Sequence, residues 1–431
     1  MRFAGSTIAA ALVVLLLTPQ AHALEIDAIA RAAAGYQSQN LHLQEMFRAA
    51  LLDTTKLAEF APDGTAYVKT GDIPAEWLRD ASAQVRPYLY YARTDPAVRA
   101  VLRSIIARQA KYLQVDPYAN AFTLDYHVWE QKFELDSLAY PVTLAWSYWR
   151  LTKDASIFTS DEAKAFDAVV ATMQREQNHA KLSRYTHREL PDGKGRPVGY
   201  TGMIWTGFRP SDDACYYNYL IPSEMFAVVA LDDIAQIERS IYHNAARAKT
   251  ARILRDQVHR GIVRYGIEWK PKYGYVYAYE VDGLGNAILT DDANVPSLLS
   301  APYLGYTTET DPYYVNTRAF LLSLDNPSFY TGQVARGIGS YHTPDHWVWP
   351  LAMVMEGLTS VSDIEKEDVL RELLAADPGD HLLHESFDPN DPRRFTRPDF
   401  GWPNALFSEF VMTAFEGDAR IPMGPPPSVS P

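Results

Sequence analysis

Carboxylates grouped with arginine, tryptophan and asparagine recur along this chain. They fall in Gly71-Asp72-Ile73-Pro74-Ala75-Glu76-Trp77-Leu78-Arg79-Asp80, Phe133-Glu134-Leu135-Asp136-Ser137, Phe208-Arg209-Pro210-Ser211-Asp212-Asp213, Asp291-Asp292-Ala293-Asn294 and His384-Glu385-Ser386-Phe387. Two carboxyl groups set across a scissile bond are what glycosidic cleavage requires: one protonates the leaving oxygen, the other serves as base or nucleophile. The clusters hold more acids than that chemistry has roles, so some must be structural or bind hydroxyls. Ser211-Asp212-Asp213 also reads as a helix N-cap with first-turn acids, and Trp77 to Asp80 as an arginine–carboxylate pair at a helix start. Asp291, Asp292 and Asn294 are oxygen-rich like a calcium loop but lack the spacing and closing glutamate of an EF-hand.

Other chemistries find little support. There is no His-Glu-x-x-His, and His342 and His346, four apart, are separated by Pro344, which argues against one helix presenting both. No catalytic metal and no cofactor is expected. Gly-x-Ser-x-Gly is absent, and Gly337-Ile338-Gly339-Ser340 lacks the rest of a dinucleotide or phosphate fingerprint, so it reads as a tight loop. The single cysteine, Cys215, permits no intramolecular disulfide and reads as a buried core thiol.

The elements that must position these residues are mostly helical. Asp95 and Pro96 form an N-cap and first-turn pair, after which Val98, Val101, Leu102, Ile105, Ile106, Tyr112 and Leu113 share one face. Thr159 and Glu162 make a capping box ahead of Phe166, Val169, Val170 and Met173, and a further helix runs through Ala251, Leu254, Val258, Ile262 and Tyr265. Tyr273 to Val281, followed by Asp282-Gly283, reads as a small hairpin. Between the helices lie polar, aromatic segments at 68–88, 114–137, 196–223, 290–306, 323–350 and 380–405, long enough to carry function. Helices alternating with such loops suggest one all-α toroid with the loops converging on one face, although periodicity alone does not separate this from two helical domains.

The chain has 431 residues, 47% of them hydrophobic and 22% charged, the balance of a globular protein with a sizeable core. A formal charge of −13 repels phosphate backbones and anionic lipid, so no nucleic acid is expected as a partner. The 9 Trp, 27 Tyr and 17 Phe suit flat, hydrogen-bonding ligands as well as a large core. Residues 1–23 read as a signal peptide: Arg2, an apolar run from Ile8 to Leu17, and Ala21-His22-Ala23 before the cleavage point. With no cysteine directly after that point to carry a lipid, the expectation is a periplasmic or secreted protein without a membrane anchor. Residues 24–421 are expected to form one catalytic domain, and the proline-rich stretch 422–431 a disordered tail.

Taken in order, the motif-bearing stretches resemble glycoside hydrolase family 125, the metal-independent exo-α-1,6-mannosidases. They are TGDIPAEWLRDASAQVRPYL from Thr70, KFELDSLAYP from Lys132, TGMIWTGFRPSDDACYYNYLIPSEMF from Thr201, DDANVPSLLSAPYLGY from Asp291, SLDNPSFYTGQVARGIGSYHT from Ser323, and HESF with FTRPDFGWPNALF up to Phe407. The resemblance implies an (α/α)6 barrel and inverting release of terminal α-mannose, with mannosides or mannose-containing glycans as partners. It places the acid in the RPSDD motif and the base at Glu385; Asp212 is taken as the acid and Asp213 as the fallback. An acid that stays protonated near neutral pH needs a raised pKa, to which Asp213 next door could contribute. Family-like sugar-binding positions are Arg79, Asp80, Asp136, Asn294, His342 and Arg397, with Trp77 or Trp205 as platforms and Arg209 on a hydroxyl or on the second carboxylate. Two departures bear on linkage preference: Glu224, where the family usually has asparagine, and Tyr341, where it usually has proline. The alternatives are an α-glycosidase of other specificity on the same barrel, or a glycan-binding protein without catalysis.

Overall fold

The computed structural model describes residues 26–421. The signal peptide and the tail from 422 lie outside that range.

Helices dominate, and they divide by burial. Those with polar faces, Leu41–Leu57, Pro96–Val115, Ser160–Glu176, Ala245–Tyr265 and Asp363–Ala375, bury one stripe each. Others are enclosed on nearly every side: Leu78–Gln84, the first fourteen residues of Leu135–Thr152, Pro350–Leu358, most of Ile221–Ser240 and Gly401–Met412 of the last helix. A helix apolar all round belongs inside other helices, and the packing follows. Ile221–Ser240 lies between Leu135–Thr152 and Ala245–Tyr265, while Gly401–Ala414 touches Leu78–Gln84, Pro350–Leu358 and Leu41–Leu57. The result is the expected toroid of inner and outer helices, with the first long helix closing on the last.

Local signals explain the helix starts. Asp95 accepts from the amides of Ala97 and Val98 ahead of Pro96, and Thr159 with Glu162 forms the anticipated capping box. One inner position is not a regular helix. Segment 290–306 runs in turns yet is buried, with the Val295 carbonyl accepting from Tyr140 Oη and Tyr303 Oη donating to Glu409. Asp291 takes the amides of Leu298 and Leu299 at 2.9 and 3.0 Å, so its carboxylate organises this turn.

Small antiparallel sheets of two or three strands fill the loops. The reading of Tyr273 to Val281 as one hairpin needs correction: Gly274–Tyr277 pairs back on Ile267–Lys270, whereas Glu280–Val281 pairs with Ala287–Ile288 across the Asp282-Gly283 turn. Glycine 337 lies in a strand, Arg336–Ile338, rather than in a loop. Ser211-Asp212-Asp213 caps no helix. It forms the tip of a turn closed by a bridge between Phe208 and Ala214 and by the Asp212 amide on the Arg209 carbonyl at 2.9 Å.

Candidate active site

The loop segments meet at a cleft of about 460 Å³ lined by Thr70, Ile73, Trp77, Arg79, Asp80, Trp129, Glu130, Lys132, Pro210, Ser211, Asp212, Asn294, His342, Trp349, Glu385, Arg397, Phe400 and Trp402. A larger depression of about 630 Å³, lined by Tyr118, Gln131, Arg175, Leu182, Arg184, Tyr185 and Thr186, holds no carboxylate. The chemistry therefore singles out the smaller one.

Arg79 is the hub of one wall. Its guanidinium, 3% exposed, meets Glu134 at 2.6 Å, Asp80 at 3.3 Å, Asp136 at 3.4 Å and Asp212 at 3.6 Å. Four carboxylates around one buried cation cannot all be ionised cheaply, because each uncompensated buried charge costs several kcal/mol, by rough estimate. Burial pushes Asp80 and Asp136 up to about 6 against the pull of Arg79. Glu134 and Asp212 are hydrogen-bonded and divide unequally. Burial and then Asp212 push Glu134 well above the carboxylate range; burial also raises Asp212, but Arg79 and the proton of Glu134 outweigh it and hold it low. Asp212 Oδ1 further accepts from Asn120 Nδ2 at 3.1 Å and Trp77 Nε1 at 3.3 Å. The expectation of a raised pKa at Asp212 is thus corrected: in the free protein the shared proton rests on Glu134, not on Asp212. Two hydrogen-bond donors and the Arg79 guanidinium face one Asp212 oxygen, and both kinds of partner favour the ionised form.

Asp212 has φ +65°, a conformation that costs an L-residue energy and persists only where the surroundings impose it. This turn sends neighbouring carboxylates different ways. Asp212 faces the cleft, while Asp213 accepts from Ser211 Oγ at 2.9 Å and pairs with His342 Nδ1 at 3.7 Å. Burial opposes ionisation of Asp213, but His342 and Ser211 hold its pKa down, and His342 is raised in return.

Glu385 forms another wall, just ahead of the Ser386–Asp388 strand that pairs with Asp391–Thr396. Arg397 Nη1 stands 3.7 Å from Glu385 Oε1, while Nη2 donates to the Thr70 carbonyl at 2.8 Å and to Asp72 at 2.7 Å. Burial raises Glu385 more than Arg397 lowers it. Asn294 reaches the cleft with its amide held by Asp292 Oδ1 at 2.9 Å, and Ser340 Oγ donates to Asp292 Oδ2. The acids of the Asp291 cluster are therefore spent on backbone and hydroxyl groups.

Several sequence-derived assignments change place. Trp205 is fully buried, stacked on His179 at a centroid distance of 3.6 Å, and does not line the cleft. Arg209 donates to Glu280 at 2.6 Å rather than to the cleft or to Asp213, and Asp136 supports Arg79 from behind without lining the cavity. Glu224 is buried, accepting from the Ile204 amide at 2.8 Å, and lines no part of the cleft; Tyr341 is exposed beside Arg209. What sequence reasoning passed over includes Glu134, which lay in a flagged cluster, and Phe400 and Trp402, which lay in a flagged stretch. Asn120, Trp129 and Trp349 lay in the flagged loop segments 114–137 and 323–350 but in no chemical motif.

A helical toroid whose loops bring two sets of carboxylates, several arginines and a rim of tryptophans to one cleft is the arrangement of a glycoside hydrolase. Residues 40–412 match the model of the metal-independent α-mannosidases, and the chain belongs to that family, glycoside hydrolase family 125. A solved structure from Streptococcus pneumoniae, described as a metal-independent α-mannosidase in a non-productive substrate complex with α-1,6-mannobiose, is 38% identical with a TM-score of 0.86, covering 90% of this chain and 97% of that one. The meiotically up-regulated gene 157 protein of Schizosaccharomyces pombe is 38% identical over 390 residues, 81% of this chain and 76% of its own. A bacterial glucoamylase complexed with acarbose shares the fold, at 14% identity and a TM-score of 0.61 over 86% of this chain and 55% of that one.

Proposed function

We propose that this mannosidase is an exported exo-enzyme that removes α-1,6-linked mannose from non-reducing ends with inversion, Asp212 acting as general acid and Glu385 as general base. The observation that carries the reading is that these two carboxyl groups, 173 positions apart in sequence, line one cleft together with the candidate sugar-binding groups. The similarity to a protein crystallised with α-1,6-mannobiose supports the linkage. The features of residues 1–23 support export.

In this mechanism Glu385 removes a proton from a water as the water attacks the anomeric carbon. Asp212 gives its proton to the departing oxygen, and the bond to the leaving sugar breaks. Inversion requires room for that water, a carboxyl separation of roughly 6.5–9.5 Å. Asp212 acts from the protonated form, so the proton shared with Glu134 must pass to it as the substrate enters. A sugar that displaces water from the exposed side of the Asp212 carboxylate removes solvation of its anion and favours that transfer. Asp80, Asn294, His342 and Arg397 provide acceptors and donors for hydroxyls, and Trp77, Trp129, Trp349 and Trp402 provide apolar faces.

Proton NMR of the protein with α-1,6-mannobiose in EDTA tests this directly. β-Mannose should accumulate first. Early α-mannose would overturn the inverting mechanism, and absence of cleavage would overturn the linkage assignment.

A further inference from the structure

We propose that His42, Asp377 and His381 form a binding site for a divalent transition-metal cation of the Zn2+ type, outside the cleft, that fastens the segment leading to Glu385 onto the Leu41–Leu57 helix. His42 Nε2 lies 2.7 Å and His381 Nδ1 3.1 Å from the same oxygen, Asp377 Oδ2, and the three potential ligand atoms lie within 4.8 Å of one another. Two imidazole nitrogens and a carboxylate are the donor set of zinc and its neighbours, whereas calcium and magnesium prefer oxygen throughout.

The carboxylate is already fixed. Asp377 Oδ1 accepts the amides of Gly379 at 2.8 Å and His381 at 3.0 Å, which leaves Oδ2 as the free corner. The Asp377 side chain is 3% exposed while both rings are about 40% exposed, so the site opens to solvent on the imidazole side. His381 is also set up from behind. Its other nitrogen, Nε2, faces Glu45 Oε2 at 3.6 Å. When Nδ1 gives up its proton to a metal, the Nε2–H can turn to that carboxylate, the outer support that metal-bound histidines usually have.

Bonds of about 2.0–2.1 Å in a tetrahedron set ligand atoms about 3.3 Å apart. The half-exposed rings need back away only slightly to admit the ion, with water completing the fourth position. On the same segment Asp380 pairs with His384 Nε2 at 3.2 Å. From His381 the chain runs to Leu383, whose amide is held by Asn404 Oδ1 at 2.8 Å, then to His384, stacked on Phe395, and to Glu385. None of the three ligands lines the cleft. In the sequence only Asp377-x-x-x-His381 hinted at the site, because His42 lies 335 positions from Asp377.

Isothermal titration of Zn2+ into untagged, EDTA-stripped protein tests the proposal. One saturable site is expected, with a rise in melting temperature on zinc addition. His42→Ala and His381→Ala should each weaken binding at least tenfold, while His127→Ala, at an exposed remote histidine, should leave it unchanged. No saturable binding, or binding retained in the His42→Ala/His381→Ala double variant, would overturn it. Both rings are only partly buried, and circular dichroism checks that the variants keep the fold.

Discussion

The division of labour between Asp212 and its neighbours is the most testable feature of the cleft. Glu385→Gln keeps shape and removes the carboxylate proposed as the base, so kcat should fall by about 10²- to 10⁴-fold with mannoside binding retained. Asp212→Asn should be a lesion of similar depth, and deeper than Asp213→Asn, because Asp213 is engaged by Ser211 and His342. Equal losses at both positions would return the assignment of the acid to open choice. Glu134→Gln probes the shared proton. Glu134 now holds it, so the pair as a unit loses its last proton at a raised pH. With glutamine there, Asp212 alone must carry that proton beside Arg79, and the alkaline limb of the kcat/KM profile should move to lower pH. A limb that stays in place would show that Glu134 is only a scaffold for Arg79.

The elements differ in how openly they announce themselves. Pro96–Val115 and Ser160–Glu176 were plain because caps and an amphipathic stripe coincide. The inner helices were not. Leu78–Gln84 is buried along its whole length, so burial leaves no periodic trace and its residues read as part of a loop. Segment 290–306 is an inner element built of turns instead of a regular helix, held by Asp291 and by side chains from distant helices, which no local pattern can reveal. The cleft followed the same rule. Residues named by chemistry and motif, such as Arg79, Asp212, Glu385 and Arg397, do meet there, whereas Trp205 and Arg209 turn away because their partners, His179 and Glu280, are set by tertiary packing. One loop contact should matter out of proportion to its size. Gly71 has φ +61°, and a Cβ there would stand 1.7 Å from the Asp399 carbonyl oxygen. Gly71→Ala must push apart the segments that join Thr70 and Asp72 to Arg397, and through Arg397 reach Glu385. A loss in kcat/KM of roughly tenfold or more, about 1.4 kcal/mol in the transition state, is expected. Activity close to that of the unchanged protein would show that the loop relaxes freely.

Buried acids also set how stability varies with pH. Burial raises Asp291 to about 8, Glu76 and Glu356 to about 7, and Asp80 and Asp136 to about 6. The unfolded chain releases these protons near pH 4. Between those values the folded state holds more protons, so this contribution is present at low pH and is lost as pH rises through the folded values. Asp154, held near 2 by hydrogen bonds from Ser156 and Tyr148 that outweigh its burial, works the opposite way and is lost only in stronger acid. The melting temperature should therefore be highest near pH 5 and fall steadily to pH 8.5, and a calorimetric series that is flat or rising there would contradict this account. The closure of the ring carries a separate consequence. The Leu41–Leu57 helix packs against Gly401–Ala414, where Asn404 bonds Asp53 at 2.9 Å. A nascent chain leaving the ribosome is an open arc until nearly the last residue is made, with apolar flanks at both of its ends. Such a polypeptide is a natural client for a holding chaperone, and a message truncated before codon 400 should yield aggregate instead of a smaller working enzyme.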